Sequence, residues 1–321
     1  MMWLTWRQHR AETLSAVAAI AVIAGALIAI GLPMHTTFND DIAPCLAGGG
    51  DRELCSANLA LFDKYYGGIA GALPLFGALP FVIGALLGAP LLAREFETGT
   101  WQLAWTQAVP RMRWLAVKLG ALAATTVALT AALAAVVTWF RGPLDQLYGR
   151  FDVTSFDIEG LVPVAYALFA FAGAALAGAV FRRSIPALAA ILAVFVAVRV
   201  TVETVLRPRY RSPLSLVENI DPTQHGLPIG TGNRADWSIG EGLLQAGQRL
   251  GPDAFNTFAD AADAANVSTT TYMHDHGVQR WVEYHPADRF WAFQYVEAAI
   301  YLGLSVILLA VVVWRVRRRL G

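Results

Sequence analysis

Residues 94–118 read REFETGTWQLAWTQAVPRMRWLAVK, a polar and aromatic stretch between two long apolar runs. A connection that only reversed the chain would need a handful of residues, and this one is far longer. Its apolar positions fall near one face of a short helix that Pro110 would end: Leu103, Trp105 or Thr106, and Val109. The stretch therefore predicts a short amphipathic helix outside the membrane that docks against another molecule.

The composition of the whole chain is that of a polytopic membrane protein. Its 321 residues are 56% hydrophobic and 15% charged, whereas a soluble domain has about 25% charged residues. The chain also contains 28 glycines and 15 prolines, residues that are frequent in membrane helices. This composition predicts that the protein lies in a lipid bilayer. The chain has no basic patch of the kind that nucleic-acid binding requires, so no nucleic-acid partner is expected.

Six apolar runs each approach the roughly 20 residues that a helix needs to cross a bilayer. They cover residues 14–34, 67–93, 119–140, 161–181, 185–206 and 291–314, numbered here spans 1 to 6. The second run is long enough to be tilted, kinked or extended beyond the bilayer. A signal peptide is the alternative for the first run, but a signal-peptide core is shorter and no small-residue cleavage site stands out. The expected fold is an all-α membrane protein.

The N-terminal residues 1–12 are basic and aromatic. Trp3, Leu4 and Trp6 are suited to the membrane interface, with Arg7 and Arg10 facing lipid phosphates. This pattern predicts an amphipathic interfacial helix before span 1.

Lys and Arg are distributed unevenly between the connecting segments. Their density in residues 1–13, 94–118, 182–184 and 315–321 is about three times that in the other connections. This asymmetry places both termini and the 94–118 stretch in the cytoplasm. Residues 207–290 then form an extracellular domain between spans 5 and 6, with helix-like stretches near Ile239 to Leu250 and near Ala254 to Ala265.

The chain lacks a phosphate-binding loop of its own. No G-x-x-x-x-G-K-[ST] motif occurs, and the one glycine run, residues 48–50, is followed by Asp51. We expect no catalytic residues and no cofactor in this chain. If ATP drives its function, a separate ATPase polypeptide binds the ATP and Mg.

Span 2 is dense in glycine and proline. It contains two G-x-x-x-G pairs and three prolines: Gly67 with Gly71, Gly84 with Gly88, and Pro74, Pro80 and Pro90. One interpretation is a kinked helix that moves, with Pro74, Pro80, Gly84 and Gly88 on the translocation path or gate. The other is that small residues allow neighbouring helices to pack closely.

Three charged residues lie inside predicted spans. Arg199 and Glu203 are four residues apart on span 5 and share a face, and Glu297 on span 6 lies at a similar depth from the same side. Arg199 is expected to pair with Glu203 or with Glu297. Such pairing is either structural or part of a substrate path or gate.

Two further clusters lie in predicted outer segments. Cys45 and Cys55 are the only cysteines, and an oxidising compartment favours a disulfide between them. A group of possible metal ligands follows in the large outer segment: His274, Asp275, His276 and His285. A solvated loop is the favoured interpretation of that group, so no metal is expected.

The order of elements resembles the permease subunit of ATP-binding-cassette exporters of the type-two permease family. The stretches WRQHRAE at 6–12, REFETGTWQLAWTQAVPRMRWLAVK at 94–118 and YHPADRFWAFQYVE at 284–297 carry the resemblance and look actinobacterial. It implies a cell-membrane protein whose 94–118 region includes a coupling helix that binds the ATPase subunit. It also implies a second permease copy or homologue, and export of a hydrophobic or amphipathic substrate such as a drug, peptide or lipid.

Carried over to this chain, the resemblance assigns contact with the ATPase, or its positioning, to six residues: Glu95, Glu97, Thr100, Trp101, Arg111 and Arg113. Two alternatives stay open. One is an ion-coupled secondary transporter that uses Arg199, Glu203 and Glu297. The other, less favoured, is a membrane metalloenzyme built on the outer histidines.

Overall fold

The computed structural model describes residues 2–48, 51–97, 111–151, 153–224, 226–228 and 230–319. Within them, six helices are long and apolar enough to cross a membrane, as the sequence predicts. They run over Thr13–Leu46, Arg52–Glu95, Met112–Tyr148, Val162–Phe181, Ser184–Arg209 and Ala287–Arg318. From here on, spans 1 to 6 mean these ranges together with the ends of the helices that contain them. The chain folds as two compact units. The first comprises residues 1–144, 153–203 and 292–321, and the second 145–152 and 204–291.

Most spans contain one regular α-helix, which continues in some of them as short π or 3-10 segments. The α-helices of spans 1, 3, 4, 5 and 6 are Met2–Thr37, Arg111–Tyr148, Val162–Phe181, Ser184–Thr201 and Phe290–Arg319. Span 1 continues through a π-helix, Phe38–Ile42, into the helix Ala43–Leu46, and span 5 continues through a π-helix, Val202–Leu206, into a 3-10 turn, Arg207–Arg209. A short helix, Val153–Phe156, precedes span 4, and a 3-10 turn, Ala287–Arg289, opens span 6.

Span 2 changes backbone geometry along its length. Its N-terminal half, named the outer half after the orientation predicted from the sequence, consists of the α-helix Arg52–Phe62, the π-helix Asp63–Gly67, the α-helix Gly68–Ala72 and the 3-10 helix Leu73–Ala78. Its C-terminal half, named the inner half after the same prediction, is the single regular helix Leu79–Glu97. Pro74 lies at the start of the 3-10 segment, where its missing N–H and fixed φ suit a break in the α-helical hydrogen bonds.

One buried cluster of the first unit lies where spans 2, 4 and 5 meet. Ala85 and Ala89 of span 2, Ala174 of span 4, and Ala187 and Ile191 of span 5 are all buried there. Alanines at these positions let the helix backbones approach closely, so the contact is made by van der Waals packing between helices.

The N-terminal segment does not form a separate helix. Residues 2–37 form one uninterrupted helix, so the predicted interfacial segment continues directly into span 1. The predicted disulfide between Cys45 and Cys55 is present, and it joins the end of span 1 to the start of span 2.

The second unit contains a four-stranded antiparallel sheet. Its strands are β1 (Leu214–Asn219), β2 (Trp237–Gln245), β3 (Gln248–Arg249) and β4 (Val278–His285), in the order β1-β4-β2-β3. The helices Ala254–Ala264 and Thr269–Asp275 follow β3, the second of them capped by the Ser268 hydroxyl, which accepts from the Thr271 N–H. Ile220, Leu243, Met273 and Val278 form the core of the sheet and these helices.

The interpretation of Ile239 to Leu250 as a helix was wrong, because these residues form the β2–β3 hairpin. Ala246 and Gly247 both have positive φ, at 50° and 79°, which is the backbone of a two-residue hairpin turn. The apolar residues of this stretch have a helix-like spacing, but the alanine–glycine turn and the pairing with β4 decide its conformation. The second helix-like stretch, near Ala254 to Ala265, is a helix.

Candidate functional site

The inner end of span 2 is tied to span 3 by a buried ion pair. The Lys118 ammonium donates to Glu95 Oε1 at 2.7 Å. Glu95 is only 7% exposed and Lys118 only 2%. A buried pair of this kind is costly to break, because removing one partner leaves the other charge in a poorly solvated site. The structure therefore places Glu95 where it can position the connection between spans 2 and 3, with its carboxylate turned into the fold.

The neighbouring carboxylate, Glu97, is tied to span 5. The Ser184 backbone N–H donates to Glu97 Oε1 at 2.7 Å, and the Ser184 hydroxyl donates to Oε2 at 3.3 Å. Ser184 is the first residue of the span 5 helix, where backbone N–H groups lack intrahelical partners and the helix dipole attracts negative charge. Glu97 thus caps a helix 87 residues further along the chain.

A two-residue link presents Ser184 to Glu97. Span 4 ends at Phe181, Arg182 adopts the left-handed conformation with φ of 56°, and Arg183 is extended. This tight connection fixes the start of span 5 beside the end of span 2. The two acids predicted to face an ATPase therefore each join span 2 to a different span.

Four other residues are predicted to contact an ATPase: Thr100, Trp101, Arg111 and Arg113. Arg113 is exposed at the start of the span 3 helix, and the backbone of Arg111 begins that helix. Thr100 and Trp101 lie outside the described residues, as does the predicted amphipathic helix ending at Pro110.

Gly84 and Gly88 face span 4. A Cβ atom at Gly84 would lie 2.1 Å from the Ala167 carbonyl oxygen, and one at Gly88 would lie 2.4 Å from that of Phe171. Both glycines are buried, so the structure gives them the close-packing role that was the second interpretation of the motif. Pro80 is buried near the start of the inner helix, and Pro74 is exposed in the 3-10 segment.

Arg199 lies in a network of buried polar groups. It donates to the Asp157 carboxylate, and its guanidinium carbon lies 4.6 Å from the centre of the Tyr166 ring. Its Nε is 3.9 Å from Glu203 Oε2, the partner predicted from the spacing. The sequence predicted the span 5 charges, but it missed Asp157, which lies 42 residues away in the segment before span 4.

Tyr166 links this network to span 6. Its hydroxyl contacts Asp157 Oδ1 at 3.0 Å and also hydrogen-bonds to Glu297, which is fully buried. Arg199 and Glu297 are therefore joined through Asp157 and Tyr166. The only sequence signal for Tyr166 was a polar group in an apolar run.

A second group of buried polar contacts lies in the same part of the first unit. Arg141 donates to Glu159 and, at 2.7 Å, to the Ser155 hydroxyl. Gln294 Oε1 accepts the backbone N–H groups of Leu161 and Val162, both at 3.0 Å. The two Gln294 contacts satisfy N–H groups at the N-terminal end of the span 4 helix, where these groups have no partner within the helix.

The histidines of the second unit have structural partners. His274 Nδ1 lies 2.8 Å from the Ile220 carbonyl, and His276 stacks on Tyr272 with a centroid distance of 4.0 Å. Burial lowers the pKa of the His285 imidazole below its usual value, Arg289 lowers it further, and the hydrogen bond to the Pro208 carbonyl opposes both. Within the described residues, no group of three or more His, Cys, Asp or Glu side chains could hold a metal ion.

Comparison with known proteins supplies the family. A family model described as ABC-2 membrane transporter related matches residues 17–207, more than half of the chain. The chain belongs to the ABC-2 membrane transporter related family. No curated protein and no solved structure matches it.

The matched region of this ABC-2 permease includes spans 2 to 4 and most of spans 1 and 5. It therefore contains both acids at the end of span 2, and Arg199 with Asp157 and Tyr166. Family membership and six apolar helices make it a multi-pass membrane protein and a transmembrane ABC transporter subunit. The family implies an ABC ATPase as a partner.

Proposed function

We propose that this ABC-2 permease is the membrane subunit of an ATP-driven exporter in a bacterial plasma membrane. Both termini are cytoplasmic, ATP and Mg bind to a separate ATPase, and the permease pairs with a second copy or a homologue. The substrate is hydrophobic or amphipathic, in the class of drugs, peptides and lipids. Lys and Arg concentrated in the segments assigned to the cytoplasm support this orientation.

The proposal rests on two contacts that attach the inner end of span 2 to other spans. Glu95 joins it to span 3 through Lys118, and Glu97 joins it to span 5 through Ser184. A displacement of the segment between Glu97 and Arg111 would therefore act on three spans together. Hydrogen bonds and packed helices of this kind can carry movement from an ATPase into a permease.

Within this proposal, the six predicted residues divide into two roles. Glu95 and Glu97 transmit movement into the membrane. Thr100, Trp101 and Arg113, together with Arg111, contact the ATPase. The substrate route involves span 2 and the Arg199 network, with Glu203 and Glu297 as members of a gate that opens when the buried hydrogen bonds exchange partners.

Family membership favours this function over the ion-coupled transporter. The buried groups that such a transporter would use are also engaged with each other. Arg199 donates to Asp157, and Tyr166 joins Asp157 to Glu297.

The experiment that tests the proposal is a mild-detergent pull-down of the tagged chain from its native membranes, followed by mass spectrometry. We expect an ATPase with a phosphate-binding loop at about one copy per permease. Substrate candidates would then be tested by stimulation of its ATP hydrolysis. Recovery of the permease without such a partner, even after crosslinking, would overturn the proposal.

A matched pair of variants locates the contact. Arg113→Glu should abolish recovery of the ATPase, because Arg113 is exposed at the proposed contact surface. Arg52→Glu makes the same charge change at an exposed position at the opposite end of span 2, and it should leave recovery unchanged. Equal effects of the two variants would argue against a specific contact at the inner end.

A further inference from the structure

A cavity of about 340 Å³ opens between the outer ends of spans 1 and 2. Its walls include an acid, an amide and three aromatic rings: Asp41, Asn58, Phe62, Tyr65 and Tyr66. This volume lies in the range of small-molecule sites, which combine apolar walls with a few polar groups.

One of the aromatic residues in this cavity wall is buried, and another is exposed. Phe62 is buried and packs against Tyr66, with ring centroids 4.9 Å apart, and against Phe38 at 6.0 Å. Tyr65 is 68% exposed although it is a large aromatic residue. An exposed tyrosine beside two packed rings leaves aromatic surface that a ligand can contact.

The lining of the cavity carries negative charge. Asp41 is exposed and lines it, and none of the described lining residues is basic. A carboxylate together with aromatic faces is the combination that binds organic cations, because both attract an ammonium group. An anionic ligand would find no counter-charge among these residues.

Local backbone geometry sets these side chains in place. Asp41 belongs to the π-helix Phe38–Ile42, and Tyr65 and Tyr66 belong to the π-helix Asp63–Gly67. Single π-helical turns within longer helices are rare and occur frequently at functional sites. Each wall of the cavity thus includes side chains from the π-helical turn of its span.

The two walls are also joined to each other. The Cys45–Cys55 disulfide links the segments that follow the first π-helix and precede the second. The Asn58 side-chain amide also lies 3.5 Å from the Asp41 carbonyl oxygen across the cavity. A site held in this way loses little conformational freedom when it binds a ligand.

We propose that this cavity binds an organic cation with an apolar body. The ammonium group lies near Asp41 and the tyrosine rings, and the apolar body lies against Leu61 and Phe62. The inference rests on the proposed function and narrows its substrate class to cationic amphipaths. The cavity then acts on the side of the membrane opposite the N-terminus, where an exporter releases its substrate.

The test is calorimetric titration of the purified full-length chain, without ATPase, with benzyltrimethylammonium in a maltoside detergent. Benzyl alcohol, which keeps the ring without the charge, is the neutral probe. We expect saturable binding of the cation and binding of the alcohol at least about tenfold weaker, since cation–π and charge attraction supply the difference. Absence of saturable cation binding, or equal binding of the two probes, would overturn the proposal.

Adjacent aspartates provide the matched variants. Asp41→Asn should weaken cation binding by about tenfold, whereas Asp40→Asn, which removes the same charge from a residue outside the cavity lining, should change it by less than about twofold. Tyr65→Leu should weaken it by about threefold to tenfold. Tyr65 is exposed, so this variant decides the question if Asp41→Asn does not give a monodisperse protein. Equal losses at Asp40 and Asp41 would mean only a diffuse acidic surface.

The cation could be a free solute or the headgroup of a lipid. Adding phosphatidylcholine to the detergent distinguishes them, because competition with the probe identifies a headgroup site and its absence identifies a site for soluble cations. Binding needs no ATPase, so this test and the pull-down fail independently. Cation binding without a recovered ATPase would overturn only the exporter, and a recovered ATPase without cation binding would overturn only the cavity assignment.

Discussion

The two halves of span 2 share a glycine motif but differ in structure. The inner half, Leu79–Glu97, is one regular helix whose buried face packs against spans 4 and 5. The outer half, from Arg52 to Ala78, passes through α, π, α and 3-10 geometry, and many of its residues are exposed. Each half contains one G-x-x-x-G pair, so the motif alone does not separate them.

The glycine pairs show what the difference means physically. Gly84 and Gly88 lie against backbone carbonyl oxygens of span 4, whereas a Cβ atom at Gly71 would meet no atom within 4 Å. In the inner half, close packing requires glycine at both positions of the motif. In the outer half, the space around Gly71 would accept a larger residue. This difference agrees with the two proposals above, in which the inner half transmits movement and the outer half leaves room for a ligand.

The largest expected effect comes from removing the buried cation at the inner end. Lys118→Met leaves the Glu95 carboxylate buried without this partner, so we expect the free energy of unfolding to fall by about 3–5 kcal/mol. SDS unfolding of the purified chain in mixed micelles measures it. The same substitution in the outer half, Lys64→Met at an exposed position, should cost less than about 0.5 kcal/mol.

A double variant checks the reason for this loss. Glu95→Gln combined with Lys118→Met removes both charges and should recover most of the stability, because no buried charge remains. If the double variant is as unstable as the single one, the loss comes from packing around Lys118 and not from the ion pair.

A smaller effect is expected from the glycines. Gly84→Ala forces its Cβ against the Ala167 carbonyl oxygen and should lower stability by about 1–3 kcal/mol through overpacking. Gly71→Ala should be neutral or slightly stabilising, because alanine favours the helix and the site is open. Thermal unfolding in detergent compares them. A similar loss at both positions would remove the distinction between the two halves.

The smallest effect is expected from two acids at the ends of span 2 that cap helices, Glu97 for span 5 and Asp51 for span 2 itself. Glu97→Ala removes the acceptor of the Ser184 N–H, and Asp51→Ala removes that of the Glu53 N–H, each at a cost of about 1 kcal/mol. Hydrogen exchange should show faster exchange at the start of span 5 in the first variant and only near Glu53 in the second. Glu97→Gln keeps an acceptor oxygen and should retain most of the protection. Unchanged exchange at the start of span 5 in the Glu97→Ala variant would show that Glu97 does not join the two spans.

Much of the fold could be predicted because crossing a bilayer is a local requirement. A run of about 20 apolar residues is visible without knowing what surrounds it, and each of the six predicted runs coincides with a long helix. The disulfide was also predictable, since the chain has only two cysteines. The hairpin at residues 237–249 was missed because its apolar residues have a helix-like spacing, although it also contains glycines. Pairing with β4, which the spacing does not reveal, decides its conformation.

The candidate site depended on contacts between residues far apart in the chain. The sequence by itself determined that charges sit at the inner end of span 2 and within spans 5 and 6. Only the tertiary structure decided their partners, which are Lys118 for Glu95, Ser184 for Glu97 and Asp157 for Arg199. The reason is that apolarity is a property of each residue, whereas the cost of burying a charge depends on which group the fold brings beside it.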